Sequence, residues 1–252
     1  MKESNWFDSD EYRLDDLQIG SFRLLQDKRR FCLTTDSVLL AEFASRACPK
    51  NARVAEAGCG NGAVSILMAA RREDIRITGI EISEADASLA RYNCELNGLK
   101  DRFEVITGDI RDVSSAFTES FDIFVVNPPY VPAGKGLASP CENVAGSRSE
   151  GTLTFSEAAQ AARRMLKNRG RFIFVNKASR LDELIVSLSE NRLSLKTLRF
   201  VHSKKSSPAY LLYGEAVKNG GRQVTVKPPL VLHGEDGSYT DEVYEIYHME
   251  KR

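Results

Sequence analysis

From about residue 52 the chain alternates two patterns, and that alternation narrows its possible folds more than any other feature. Short apolar stretches rich in β-branched and aromatic residues (52–57, 75–82, 103–107, 121–126 and 171–175) are separated by segments with helical spacing (63–72, 84–97 and 155–167). Gly98 closes the second helical segment, and Gly170 reads as the stop of the third. Repetition at this length predicts βαβ units, with a mostly parallel sheet and helices on both faces. Residues 194–201 and 209–216, joined by a polar segment containing Pro208, read instead as an antiparallel pair that finishes the sheet. Ahead of the core, 22–26 and 30–33 read as a small hairpin and 36–47 as a capped helix. Behind it, 227–232 and a short helix over 240–247 read as a tail. The expected organisation is an N-terminal segment, 1–50, a core, 51–217, and a tail, 218–252, packed on the core.

Composition removes several classes of function. At 252 residues, 42% apolar and 28% charged, the chain falls outside the disordered, collagen-like and disulfide-stapled ranges. Lys+Arg is 35 and Asp+Glu is 35, so bulk charge does not hold nucleic acid, and any such binding requires a local patch. The cysteines (Cys32, Cys48, Cys59, Cys94 and Cys141) form no CxxC pair and have no ligand-like spacing to His202, His233 or His248. They read as reduced packing residues, with no metal site expected. Residues 1–16 carry acids and no apolar run, unlike a signal peptide, and no window approaches the roughly 20 apolar residues of a membrane span. A cytoplasmic protein with no membrane association and no obligate protein partner is expected.

The first strand ends in Glu56-Ala57-Gly58-Cys59-Gly60-Asn61-Gly62 and opens straight into a helix. Glycines Gly58, Gly60 and Gly62 let the backbone pass close to a ligand, at the carboxyl end of the strands where open α/β sheets bind ligands. A tight structural turn is the plainer explanation of the glycines alone. Glu81, at the end of the second strand and 23 residues beyond Gly58, can accept hydrogen bonds from two ribose hydroxyls. Dinucleotide enzymes and methyltransferases share that device, and a solvated strand-end acid would look the same. Asp109, after the third strand, either reads a purine amino group or caps the next helix. Together the acids at the ends of strands one, two and three describe an adenosine-shaped site.

The most specific element follows the fourth strand: Asn127-Pro128-Pro129-Tyr130. Two prolines lack backbone donors and hold φ fixed, so the turn is rigid and its carbonyls point where the sequence dictates. An Asn side-chain oxygen beside a proline carbonyl makes two acceptors with no general base, an arrangement suited to gripping both N–H groups of an amine. Tyr130 offers a flat face for a planar amide or base. A strand-terminating Asn-Pro turn is the structural alternative.

These residues, Glu56–Gly62, Glu81, Asp109 and Asn127–Tyr130, resemble the S-adenosylmethionine-dependent methyltransferases that act on amino groups, over roughly residues 22–216. The resemblance implies a Rossmann-like class I methyltransferase fold, α/β, with a seven-stranded, mostly parallel sheet whose last strand is antiparallel. It implies that the glycine loop and Glu56 hold the methionine part of S-adenosyl-L-methionine, Glu81 the ribose hydroxyls and Asp109 the adenine. Glu56 departs from the family pattern, where Asp is commoner; the charge is kept and the reach lengthened. Asn127, Pro128, Pro129 and Tyr130 would form the catalytic corner.

Two subfamilies share this corner. One methylates the N5 of a glutamine in peptide release factors and carries a helical N-terminal domain; the other methylates exocyclic amines of RNA bases. Here only about 50 residues precede the first strand, and Phe31-Cys32-Leu33-Thr34-Thr35-Asp36-Ser37-Val38 resembles the bacterial tRNA adenine-N6 methyltransferases that modify adenine-37 of a valine tRNA. The same likeness puts Thr35 and Asp36 among the cofactor-binding residues and extends to 210–214 and to the tail around Tyr239. A loop from Ser139 to Glu150, containing Arg148, resembles the variable substrate loop only loosely. Residues 163–180 hold bases and no acid, and Lys204-Lys205 lies in a second basic stretch. Either could be a solvated face, and the Lys204-Lys205 loop is the favoured phosphate contact. A nucleotide-binding module without chemistry would leave the Asn-Pro-Pro-Tyr corner unused. An NAD dehydrogenase would need a catalytic His, Tyr-Lys pair or Ser near the switch point, and none is evident.

Overall fold

A computed structural model describes residues 10–30, 32–128 and 153–249. An antiparallel hairpin of β1 (Tyr12–Asp16) and β2 (Arg23–Asp27) precedes helix α1 (Thr35–Ala47). The core then alternates β3 (Arg53–Ala57), α2 (Ala63–Arg71), β4 (Arg76–Glu81), α3 (Glu84–Leu96), β5 (Phe103–Thr107), a single turn α4 (Ile110–Val113) and β6 (Phe121–Val126). Beyond the interval outside the described residues come α5 (Phe155–Met165), β7 (Leu166–Lys177), α6 (Leu181–Glu190), β8 (Leu193–Lys204) and β9 (Ala209–Lys218). The chain ends in β10 (Thr225–Val226), β11 (Leu230–His233) and α7 (Asp241–Tyr247).

Among the described residues, β3 to β11 make a nine-stranded sheet in the order β10-β8-β9-β7-β6-β3-β4-β5, with β11 also on β8. All pairs are parallel except those of β9, which runs antiparallel to both β7 and β8. The order turns about β3: β4 and β5 lie to one side, β6 and β7 to the other. That reversal is the switch point at which open α/β sheets leave a crevice beyond their carboxyl ends. Strand alternation divides the core between two faces. Ile123 and Val125 of β6 join α1, α2 and α7 residues such as Leu40, Leu67 and Ile246, while Phe124 and Val126 join α5 and α6 through Ala158, Ala162 and Leu188.

Some sequence expectations are corrected. The partner of β2 is β1, not residues 30–33: Leu33 N–H instead donates to the buried Gln26 Oε1 at 2.5 Å, and Arg30 N–H closes a turn on the Asp27 carbonyl at 3.0 Å. The strand that does pair is acidic and half-exposed, so it carries no apolar alternation to announce it. Gly170 does not stop α5. The helix ends before Leu166, and Gly170 is buried inside β7, next to a register shift opposite Phe121 and Ile123. The sheet also gains β10 and β11, which extend the seven strands expected by pairing with β8.

One glycine is fixed by close approach. A Cβ built on Gly214 of β9 would lie 2.1 Å from Cζ of Phe174, whose ring is 1% exposed and wedged between Phe155 and Phe172 at centroid distances of 4.9 and 5.3 Å. The ring has nowhere to retreat. Gly214→Ala is therefore expected to cost about 3 kcal/mol and to lower the melting midpoint by roughly 6–12 °C. An unchanged midpoint in a thermal scan would show that the aromatic layer yields freely.

Candidate functional site

Register places the predicted residues on one edge of the sheet. Ala57 of β3 pairs with Val126 of β6 on one side and with Ile80 of β4 on the other, and Glu81 pairs with Thr107 of β5. Asp109, Glu81, Gly58 and Asn127 therefore emerge from the carboxyl ends of four neighbouring strands, each about 4.8 Å from the next.

The turn from β3 to α2 holds Gly58 and Gly60 at φ of +66° and +55°, where a side chain would strain the backbone although nothing lies within 4 Å of either built Cβ. Open space above a glycine backbone is what close passage of a ligand requires. Beneath the turn space is short: a Cβ on Gly79 of β4 would sit 2.8 Å from Cys59 Sγ, so Gly79 lets the turn settle against the sheet. Gly58 N–H donates to the Ile80 carbonyl at 2.8 Å and Gly60 N–H to Glu81 Oε2 at 2.9 Å. Asn93 of α3, wholly buried, fastens the turn to the hairpin. Its Nδ2 donates to the carbonyls of Asn61 (3.0 Å) and Leu25 (2.9 Å), and its Oδ1 accepts from Leu25 N–H at 2.8 Å.

Inside the turn, Asn61 is 7% exposed and its Nδ2 has no hydrogen-bond partner among the described residues. Leaving a buried amide donor unpaired costs about 1–3 kcal/mol, a cost that a bound acceptor would remove. Beside it, Glu56 is 3% exposed and accepts from Ser65 Oγ of α2. Burial pushes its carboxyl up to about 8, the charge of Glu81 adding to the shift and the Ser65 bonds opposing it. An orphaned donor and a carboxyl with no ion-pair partner among the described residues fit an amino-acid moiety, whose carboxylate and ammonium would satisfy both.

A pH dependence follows. The folded state holds the Glu56 proton more tightly than the unfolded chain, whose carboxyl titrates near 4.5. The neutral carboxyl costs nothing below that pH, and ligand-free stability declines as pH rises from there through about 8. Glu56→Gln should flatten this part of the denaturation-midpoint profile. Parallel profiles for parent and variant would mean the carboxyl is not held neutral.

Glu81 bridges two loops. Its Oε2 takes the Gly60 N–H and its Oε1 takes the Ser83 N–H at 2.8 Å, which fixes the carboxylate between the glycine turn and the start of α3. Asp109 caps α4, accepting from Arg111 N–H at 2.9 Å, and the Arg111 guanidinium grips both its oxygens before reaching Glu157 at 3.1 Å. The Arg111 bond holds the Asp109 carboxyl below its usual range, keeping it an acceptor. The helix-cap role is thus real, and it coexists with a place in the cleft lined by Gly58, Ile80, Ile82, Gly108, Asp109 and Leu153. Ile82, 47% exposed, was not singled out from sequence; an apolar residue directly after a strand-end acid is the signal that marks it.

On the other side of β3, Pro128 is buried and Asn127 half-buried. Pro129, Tyr130 and Arg148 lie outside the described residues. Thr35 and Asp36 form the first turn of α1 on the β9 side of the edge, where Tyr213 Oη donates to the Asp36 carbonyl at 3.2 Å and Thr35 hydrogen-bonds Tyr247. Lys204 ends β8 and Lys205 enters the β8–β9 turn on the same edge. The basic run 163–180 divides along β7: Lys167 and Arg171 lie toward its amino end, away from this site, while Lys177 and Arg180 lie at its carboxyl end. Lys167 pairs with Asp122 at 2.8 Å, Arg171 with Glu215 at 3.0 Å and Arg180 with Glu183 at 2.6 Å. Among the described residues no group of three His, Cys, Asp or Glu could hold a metal, and no helix is long and apolar enough to cross a membrane.

A family model described as a methyltransferase domain matches residues 49–245. A tRNA1(Val) (adenine(37)-N6)-methyltransferase of Shewanella sp. (strain MR-4) is 27% identical over 241 residues, 94% of either chain. One from Porphyromonas gingivalis (strain ATCC 33277) is 30% identical over 177 residues, 68% of this chain and 65% of the relative. Among solved structures, the fold is similar to that of a predicted O-methyltransferase from Agrobacterium tumefaciens, with a TM-score of 0.69 and 23% identity over 86% of this chain and 99% of that one. It is also similar to a geranyl diphosphate methyltransferase in complex with SAM, with a TM-score of 0.53 and 13% identity over 72% and 85%.

Proposed function

The chain belongs to the methyltransferase-domain family, and from that premise we propose that it methylates the exocyclic N6 amine of an adenine in tRNA, adenine-37 of a valine tRNA, with S-adenosylmethionine as donor. The observation that carries the reading is the pairing of Ala57 with Val126, which sets Asn127 beside the glycine turn. The RNA substrate is supported by the name borne by the Shewanella relative, matched along 94% of its length.

The cofactor, when bound, supplies an electrophilic methyl group on sulfur. Glu56 would hold the ammonium of its methionine part and Asn61 Nδ2 the carboxylate. Glu81 would hold the ribose hydroxyls, and Asp109 the adenine amino group with Ile82 against the ring. On the substrate side, Asn127 Oδ1 and the Pro128 carbonyl accept the two N–H groups of the target amine. Adenine N6 shares its lone pair with the ring and is a poor nucleophile. Acceptors that strengthen as positive charge builds on nitrogen bind the transition state better than the ground state, and holding the amine in line contributes the rest. Pro129 keeps the corner stiff, and Tyr130 stacks on the base once it has left its own stack. Lys204, Lys205 and Arg148 are assigned to phosphate. Such an enzyme works in the cytoplasm, without a metal and without an obligate protein partner.

Incubation with labelled cofactor and either bulk tRNA or peptide release factor tests this. Label in the RNA, recovered as N6-methyladenosine by nucleoside mass spectrometry, is the expected result. Label in a release-factor glutamine, with none in RNA, would establish the rival protein N5-methyltransferase.

A further inference from the structure

The C-terminal tail divides its side chains between two tasks. Leu230, Leu232, Val243 and Ile246 are 0–6% exposed and anchor it to the core. Arg199 binds both oxygens of Glu242 at 2.7–2.8 Å, and Arg71 Nη2 donates to the Ile246 carbonyl at 2.8 Å, which locks α7 in place. A second set does less for anchoring. His233 stacks on Tyr239 at 5.1 Å and 28°, and Tyr239 stacks on Tyr247 at 5.7 Å and 15°, so the rings form a continuous pile. Tyr239 and Tyr247 rest partly on the core, whereas His233 occupies the outer end of the pile. Tyr210, 41% exposed, stands close enough to Asp36, Tyr239 and Tyr247 that they add to the burial holding its hydroxyl above its usual range.

Register says where the pile stands. Leu211 pairs with Lys177, while Phe174 of the same strand pairs with Val126. Tyr210 thus lies past the carboxyl end of β7, on the edge from which Asn127 emerges. His233 pairs with Lys204 across β11 and β8, and its Nδ1 lies 3.2 Å from the Ser203 carbonyl. Half-exposed flat rings, Lys204 and Lys205 at their side, and the candidate amine corner therefore share one rim of the sheet.

We propose that Tyr210 and the His233–Tyr239 pile, flanked by Lys204 and Lys205, form a stacking platform for unpaired nucleotides adjoining the target adenine in the RNA. This rests on the reading of RNA as the substrate and deepens it by naming the surface. An adenine drawn into the pocket leaves its neighbours unstacked. Flat side chains return that stacking at about 1–3 kcal/mol per base, and lysines beside them meet the phosphates between. Neither contact reads base identity, so the platform positions the strand while the corner selects the amine.

A labelled anticodon stem–loop of valine tRNA, titrated against the full chain by fluorescence anisotropy and used as methyl acceptor, decides the matter. Tyr210→Leu and His233→Leu keep apolar bulk and should each raise the RNA Kd and KM about tenfold, with the loss falling on KM rather than kcat. Tyr210→Trp should restore the affinity, which a role in packing the tail would not predict. Lys204→Ala combined with Lys205→Ala should reduce the slope of log Kd against log salt by about 2. A parent that methylates the RNA while both Leu variants bind it as tightly overturns this platform alone. A parent that neither binds nor methylates RNA overturns the substrate reading and the platform together.

Discussion

Replacing Asn127 with alanine lowers turnover on RNA by about two to three orders of magnitude, the loss seen when one preorganised polar group at a reacting centre is removed, while the cofactor Kd stays within about twofold. The division follows from position. Asn127 leaves β6 one residue beyond the Val126–Ala57 pair, on the strand beside the glycine turn rather than within it. On the proposed reading Asn127 therefore meets the amine rather than the cofactor. Asn127→Asp is the sharper test. A carboxylate still accepts two hydrogen bonds, so some turnover should survive if acceptance alone matters. Single-turnover kinetics on saturating RNA, with calorimetry for the cofactor, separates the effects. Parent-like turnover in Asn127→Ala removes the residue from the reaction.

Glu81→Ala is expected to weaken cofactor binding by at least about a hundredfold, or roughly 2.7 kcal/mol. Two losses combine. The ribose hydroxyls lose their acceptors, and the N–H groups of Gly60 and Ser83, now bonded at 2.9 and 2.8 Å, lose theirs. Because Glu81 ties the glycine turn to the start of α3, the alanine variant should also melt earlier. Glu81→Gln apportions the two: its amide oxygen keeps one backbone partner, but its NH2 group faces an N–H donor at the other. Calorimetric titration measures both variants, and an unaltered Kd in Glu81→Ala would exclude the carboxylate from the site.

What could be read from sequence and what could not has a physical boundary. β3, β4 and β6 announce themselves because both strand faces are buried, leaving near-continuous apolar runs that glycines punctuate. β1 stays hidden since its residues, Tyr-Arg-Leu-Asp-Asp, face largely outward and owe their strand geometry to β2. α6 buries only Leu184 and Leu188 while exposing Ile185 and Val186, which blurs its apolar face. β10 and β11 are short, separated by Pro228 and Pro229, and defined by the edge they join. At the site, the acids and the Asn-Pro turn stand out because each ends a strand. The supports of Glu56 and Asn61, namely Ser65 and Asn93, come from α2 and α3. No local pattern links them, and only folding brings them together.

The Asn93 clamp makes the glycine loop and the N-terminal hairpin a single mechanical unit. Peeling β2 away would strip Asn93 of its bonds to both the Leu25 carbonyl and the Leu25 N–H, and so slacken the grip on Asn61. In deuterium labelling the amides of Leu25 and of the 58–62 turn should therefore exchange in one shared opening event, and a ligand that tightens the turn should slow exchange in a strand it never touches.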